Sequence, residues 1–125
     1  MKNLKITKLT EIKNDERGAS YEFSTHLTKD FLFVSRKKGT ISGEHYHEGK
    51  SKQKDPETLV LIKGEFILEA KDLKTGETLK TTVEAPRKLE IGTNVWHKVT
   101  ALSDITFLET NSLAQHMKDT VQLSE

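Results

Sequence analysis

The chain has 125 residues, the size of one domain, and we expect residues 1–125 to form a single domain. Its 20 basic and 19 acidic residues give a formal net charge of +1, so the clustered cationic excess typical of nucleic-acid and membrane-surface binders is missing. There are no cysteines, which excludes disulfides and thiolate chemistry. Since no apolar run approaches transmembrane length, we expect a cytoplasmic protein with a small-molecule substrate and no membrane or nucleic-acid partner.

Short strand-like runs separated by turn residues fill most of the chain. In chain order the predicted strands are Lys5–Ile12, Ser20–His26, Asp30–Arg36, a histidine-bearing strand after Gly39, Thr58–Ile62, Glu65–Ala70, Leu79–Glu84, Lys88–Ile91, Val95–Leu102 and Ile105–Thr110. Nine or ten short strands at regular spacing predict an all-β sandwich or barrel. Beyond them, Leu113, His116 and Met117 lie at helical spacing, which predicts a short C-terminal helix.

Alternation within the strands assigns side chains to faces. Tyr21 and Phe23 share one face of their strand, and we expect both in the core. Phe31 and Phe33 also share a face. The segment Glu48–Pro56 holds only polar, charged, Gly or Pro residues and is predicted to be a loop, longer than a hairpin needs.

Two histidines, His45 and His47, lie one residue apart in the strand that follows Gly39. On a regular strand alternate side chains point the same way, so both imidazoles face one direction while Glu44 points away and is exposed. Glu57 and His97 come later in the chain. Three imidazoles and a carboxylate are a plausible ligand set for one divalent metal, and the alternative is a metal-free polar pocket in which the histidines hydrogen-bond.

These residues form a pattern that resembles the cupin superfamily, and in particular the small RmlC-like cupins. The first cupin motif is matched by Gly39, five residues and His45-Tyr46-His47, and then by Glu57, six residues and Gly64. Nine residues separate His47 from Glu57, where the motif has three or four, so the loop between the two strands carries an insertion.

The second cupin motif is matched less fully. Gly92 stands for its proline, Asn94 for its glycine, His97 for its histidine and Ala101 for its asparagine. Asparagine tolerates the left-handed conformation that glycine would supply. The resemblance implies a double-stranded β-helix, the jelly-roll barrel.

The same resemblance implies a metal site. Its ligands would be His45, His47, Glu57 and His97, and the ion would be Zn, Fe, Mn or Ni.

Within the cupins the chain is similar to the sugar-nucleotide enzymes, namely the 3,4-ketoisomerases, the 3,5-epimerases and the cupin domains of capsular-polysaccharide enzymes. The similarity lies in the turn Asp15–Gly18 and in the stretch Gly43–His47, although Ser42 stands where those enzymes have arginine. It implies that His45 removes a proton next to a keto group. It also places Arg17 on a diphosphate, which a guanidinium binds in bidentate fashion.

Three functions therefore remain open at this point. The first is an isomerase or epimerase acting on a keto-sugar nucleotide in polysaccharide biosynthesis. The second is a metal-dependent cupin of another class, such as a dioxygenase, which the complete ligand set favours. The third is a small-molecule binding cupin without turnover. We also expect a homodimer, an outer or interface position for Trp96, and surface positions for His26 and His116.

Overall fold

The computed structural model describes residues 1–25, 30–48, 56–110 and 120–123. These ranges contain twelve β-strands and no helix. The strands are β1 Leu4–Lys8, β2 Thr10–Asp15, β3 Gly18–Glu22, β4 Phe31–Arg36, β5 Ile41–Tyr46, β6 Glu57–Lys63, β7 Glu65–Asp72, β8 Thr78–Glu84, β9 Arg87–Ile91, β10 Val95–Ala101, β11 Ile105–Thr110 and β12 Val121–Gln122. No helix among the described residues is long and apolar enough to span a membrane.

The strands form two five-stranded sheets and one separate hairpin. The first sheet has the order β1-β9-β6-β11-β4, the second has the order β12-β5-β10-β7-β8, and β2 pairs only with β3. Every pairing is antiparallel. Since most neighbours within a sheet are distant in sequence, the chain crosses between the sheets repeatedly, as a jelly roll does. The predicted all-β jelly-roll architecture is confirmed.

The core forms because alternate residues of facing strands are apolar. Along β7 the buried side chains are Phe66, Leu68 and Ala70, as the alternation predicted. They belong to one cluster of buried apolar side chains drawn from both sheets, with Leu59 and Leu61 of β6 and members of β9, β10 and β11. Burial of apolar surface is the main favourable term in folding, so this cluster sets the spacing of the two sheets.

The prediction that Tyr21 and Phe23 lie in the core is wrong. Their exposed fractions are 41% and 39%. The reason is topological, because the β2–β3 hairpin, which contains Tyr21 and precedes Phe23, pairs with neither large sheet. Phe31 and Phe33 share a face as predicted, and that face is exposed, at 44% and 71%.

Several predictions fall on residues that the structure does not describe. These are the C-terminal helix around Leu113, His116 and Met117, the position of His26, and most of the predicted loop Glu48–Pro56. The prediction that residues 1–125 form a single domain also stays a prediction.

Gly64 makes the turn between β6 and β7 and gives a test of this architecture. Its φ is +89°, and a Cβ at this position would lie 2.3 Å from the carbonyl oxygen of Asp104. Gly76 is the matched control, because its φ is +80° and a Cβ there would meet nothing within 4 Å.

We expect Gly64→Ala to lower the free energy of unfolding by several kcal/mol. The left-handed backbone costs an alanine about 1–2 kcal/mol at either position, and overpacking adds about 1–3 kcal/mol at Gly64 alone. Urea denaturation of the two variants measures the difference. Equal losses for Gly64→Ala and Gly76→Ala would contradict the close approach at Asp104.

Candidate functional site

A buried polar cluster lies between the two sheets. It consists of His45, His47, Glu57 and His97, whose ligand atoms all lie within 4.8 Å of one another. Their exposed fractions are 8%, 1%, 1% and 4%, so His45 is the most accessible of the four. The structure thus brings together all four residues that the sequence predicted as one ligand group.

Neighbouring strands explain this convergence. His45 lies on β5 and faces His97 on β10 in the register of the second sheet. His47 follows directly after β5, whose last residue is Tyr46. Glu57 begins β6 in the first sheet, where it pairs with Ile91. The carboxylate therefore comes from one sheet, and the imidazoles come from the other sheet and the segment that follows β5.

Glu57 is placed between two of the imidazoles. Its Oε2 lies 2.6 Å from Nε2 of His47 and 3.4 Å from Nε2 of His97. The shorter distance is that of a close carboxylate–imidazole pair. His45 packs edge-on against His97, with ring centroids 4.6 Å apart.

The backbone fixes the orientation of the His97 ring. Nδ1 of His97 lies 3.0 Å from the carbonyl oxygen of Val95. A carbonyl only accepts hydrogen bonds, so Nδ1 carries the proton and donates. In the neutral ring Nε2 then presents its lone pair toward the carboxylate of Glu57, an arrangement that favours a cation or a proton between them.

The donor set fits a divalent transition metal. Imidazole nitrogens with one carboxylate oxygen suit Zn, Fe, Ni or Mn and leave coordination positions open. Ligand atoms at about 2.1 Å from an ion lie at most about 4.2 Å apart. Because the four atoms lie within 4.8 Å of one another, metal binding would draw the most widely separated ligand atoms closer together.

A β-bulge precedes His45 and corrects the prediction for Glu44. The partners of His97 and Lys98 shift from His45 to Gly43, so Glu44 is an extra residue in β5. Its φ is +58° and its side chain is half-buried, whereas regular alternation predicted an exposed Glu44. The left-handed conformation costs a non-glycine residue about 1–2 kcal/mol. The missed signal was Gly43, whose φ is +89°.

A second residue with a left-handed backbone conformation, Asn94, connects the turn before β10 to the segment after β5. Its φ is +58°, as expected for an asparagine in place of the motif's glycine. Its N–H donates to the carbonyl oxygen of His47 at 2.7 Å, and its own carbonyl accepts from the N–H of Leu73 at 2.9 Å. The turn before β10 therefore holds the backbone of His47.

Arg17 lies outside the four-residue cluster. It is in the turn of the β2–β3 hairpin with its side chain 76% exposed, and its guanidinium donates to Asp15 at 3.2 Å. The Arg17 side chain, followed by the Arg17 backbone N–H and Lys13, holds the pKa of Asp15 below its ordinary value. The role of Arg17 on a diphosphate stays a prediction.

We expect Gly43→Ala to displace His97. A Cβ on Gly43 would lie 2.7 Å from the carbonyl oxygen of His97, so the β10 backbone must move. Gly39→Ala is the control, because Gly39 has φ +87° and open space around the added Cβ. NMR of the His97 ring protons should show a large shift in Gly43→Ala and none in Gly39→Ala. Unchanged His97 signals in both variants would contradict the contact.

The chain is similar to known proteins in sequence and in fold. The family described as the polysaccharide biosynthesis C-terminal domain matches residues 13–120. No curated protein matches the chain. Among solved structures, a 3,4-ketoisomerase from Helicobacter canadensis superposes with a TM-score of 0.73 at 17% identity, covering 96% of this chain and 90% of that one.

Two further structures have the same fold. The TDP-quinovose 3,4-ketoisomerase WlaRB from Campylobacter jejuni has a TM-score of 0.72 at 21% identity and covers 92% of each chain. The 3,5-epimerase RmlC from Legionella pneumophila, solved with dTDP-4-keto-L-rhamnose, has a TM-score of 0.71 at 21% identity, covering 98% of this chain and 73% of that one. The chain has the RmlC-like cupin fold and belongs to the polysaccharide biosynthesis C-terminal domain family.

Proposed function

We propose that the chain is an isomerase or epimerase that acts on a dTDP- or UDP-linked keto-sugar in polysaccharide biosynthesis. The observation that carries the proposal is the buried cluster of three imidazoles and a carboxylate, with His45 its most exposed member. The proteins of similar fold named above are described as ketoisomerases and epimerases of nucleotide-linked sugars, which supports the same substrate class.

His45 is the proposed base. A hydrogen on the carbon beside a keto group is acidic, and a neutral imidazole can remove it at neutral pH. A ketoisomerase transfers that proton to the adjacent carbon while the two oxygens exchange alcohol and keto character. An epimerase returns a proton to the same carbon from the opposite face. Glu57 lies 2.6 Å from His47 and would hold that ring beside His45, with the two ring centroids 5.0 Å apart.

The same cluster would hold the proposed divalent metal, Zn, Fe, Mn or Ni. A metal bound there would polarise a keto oxygen or a water molecule. A nitrogen of His45 that ligates an ion cannot use the same lone pair to remove a proton. The roles of His45 as ligand and as base are therefore alternatives, and the metal content of the purified protein separates them.

The test of the proposal is the incorporation of deuterium from D₂O into dTDP-4-keto-6-deoxyglucose. We expect the protein to introduce deuterium beside the keto group and His45→Asn to slow the exchange by at least about 100-fold, as loss of a general base does. Tyr46→Phe is the control, since Tyr46 neighbours His45 but lies outside the cluster. Mass spectrometry measures the incorporation, with and without a chelator.

Each outcome of this experiment has a distinct meaning. Exchange that survives the chelator assigns His45 as a base, and exchange that the chelator abolishes assigns a metal-dependent reaction. No exchange with either the dTDP- or the UDP-linked sugar would overturn the proposal. Oxygen uptake that requires added metal would then identify the alternative, a dioxygenase-type cupin, which the full ligand set favours. Binding without turnover would identify a binding cupin.

We also propose that the protein is a homodimer and that the outer face of the first sheet is its interface. Val60, Leu108 and Phe33 lie side by side across β6, β11 and β4 in register. A cavity of about 460 Å³ next to them is lined by Tyr21 and Phe23 of the hairpin segment, among others. Apolar side chains therefore gather on this face and on the hairpin segment beside it.

The area of this face fits a second copy of the chain. The large apolar side chains on and beside it, which are 39–71% exposed, are Tyr21, Phe23, Phe31, Phe33 and Ile62. At roughly 100 Å² each they expose roughly 500 Å², more than half of the about 800 Å² that each partner buries in a standard interface. A patch of that size is comparable to the largest apolar patch of a typical protein, which is often functional.

We expect Phe33→Glu to dissociate the dimer, because the substitution places a charge in the centre of the face. The control is Ile41→Glu, which changes a side chain 55% exposed on β5 of the other sheet. Light scattering after gel filtration measures the mass. A wild-type protein that is monomeric at micromolar concentration, or a dimer that only Ile41→Glu disrupts, would rule out this interface.

A further inference from the structure

The C-terminal strap, residues Thr120–Leu123, packs along the histidine strand. Its strand β12 pairs antiparallel with β5, and the register sets Val121 opposite Tyr46 and Gln122 opposite His45. The strap therefore forms the edge of the second sheet beside the candidate site. None of the sequence motifs pointed to it.

One residue of the strap bridges the two strands that carry His45 and His97. The N–H of Leu123 donates to the carbonyl oxygen of Glu44 at 2.8 Å. The carbonyl oxygen of Leu123 accepts a hydrogen bond from Nε1 of Trp96. Glu44 precedes His45 and Trp96 precedes His97, so the backbone of Leu123 joins the residues directly before two of the site histidines.

The strap also approaches the third histidine. Oγ1 of Thr120 lies 3.5 Å from Nδ1 of His47, on the opposite side of the ring from Glu57. Outer groups of this kind select the tautomer and the orientation of a ligating or catalytic imidazole.

The hydrogen bond from the N–H of Leu123 is made to Glu44, the bulge residue of β5. Glu44 has φ +58°, which an ordinary side chain adopts only when surrounding contacts hold it there. A bulge that slipped by one residue would turn His45 to the other face of the sheet, because side chains alternate along a strand. Trp96 is outward-facing yet only 5% exposed, which fits a side chain used for anchoring.

We propose that the C-terminal strap positions the histidines of the site, with Leu123 and Trp96 as positioning residues that fix the β5 bulge and so the distance between His45 and His97. The proposal concerns geometry and goes beyond the proposed function. It applies whether the histidines bind a metal or move a proton.

The test compares Leu123→Pro with Leu123→Ala in the full chain. Proline lacks the N–H that bonds to Glu44, whereas alanine keeps both backbone groups and trims only a side chain that is 44% exposed. NMR of the imidazole Cε1–H groups in the chelator-treated protein reports the ring positions. Amide exchange of Val121, which forms the hydrogen-bonded pair with Tyr46 in the alternating antiparallel register, reports strap release. We expect Leu123→Pro to shift the His45 and His97 signals and Leu123→Ala to leave them in place.

Zn²⁺ affinity provides a second readout of the same variants. Loss of an orienting partner lowers metal affinity by about tenfold, so Leu123→Pro should bind Zn²⁺ about tenfold more weakly than Leu123→Ala. If neither variant binds Zn²⁺, the NMR comparison by itself decides the proposal.

Trp96→Phe keeps the proposal testable if Leu123→Pro fails to fold. It removes the indole N–H and reduces the bicyclic ring to a phenyl ring, and Trp96 is the single tryptophan of the chain. Thr100→Val on the same strand β10 is its control. Trp96→Phe should shift the His97 and His45 signals while Thr100→Val does not. A strap released with unmoved histidine signals, or a strap that stays protected in both Leu123→Pro and Trp96→Phe, would overturn the proposal.

Discussion

The buried carboxylate of Glu57 is the constraint on which the site depends. It is 1% exposed and comes from the first sheet, while the imidazoles of His45 and His97 come from the second. A buried charge is costly unless it is paired and hydrogen-bonded, so its partners must be delivered by the opposite side of the fold. His47 and His97 are those partners, and their Nε2 atoms lie 2.6 and 3.4 Å from Oε2 of Glu57.

Backbone conformation, more than side-chain identity, turns this sandwich into a site. Gly43 and Glu44 have positive φ values in the bulge before His45, and Asn94 has one in the turn before His97. These residues set where each histidine strand starts relative to its neighbour. Hydrogen bonds from Asn94 to His47 and from Leu123 to Glu44 hold the unusual backbone. Local strain at a functional site is stable when surrounding contacts over-determine it.

Apolar alternation is found both in the interior of the fold and on parts of its exterior. The interior between the sheets follows the alternation of apolar residues, as β7 shows with Phe66, Leu68 and Ala70. Tyr21 and Phe23 alternate in the same way, but they lie on the β2–β3 hairpin segment outside that interior and are exposed. Alternation reports that a face is apolar, and it does not report what covers that face.

The sequence by itself determined the all-β jelly roll, the four residues of the cluster and the left-handed turn at Asn94, because strand alternation, motif spacing and turn chemistry are local properties. Only the tertiary structure decided that Glu44 lies in a bulge, that Tyr21 and Phe23 are exposed, that Arg17 lies outside the cluster, and that Leu123 bridges Glu44 and Trp96. Each of these features depends on which strand, distant in sequence, lies beside the residue in the fold. Pairing between strands far apart in sequence is fixed by the packing of the whole chain, and no local pattern encodes it.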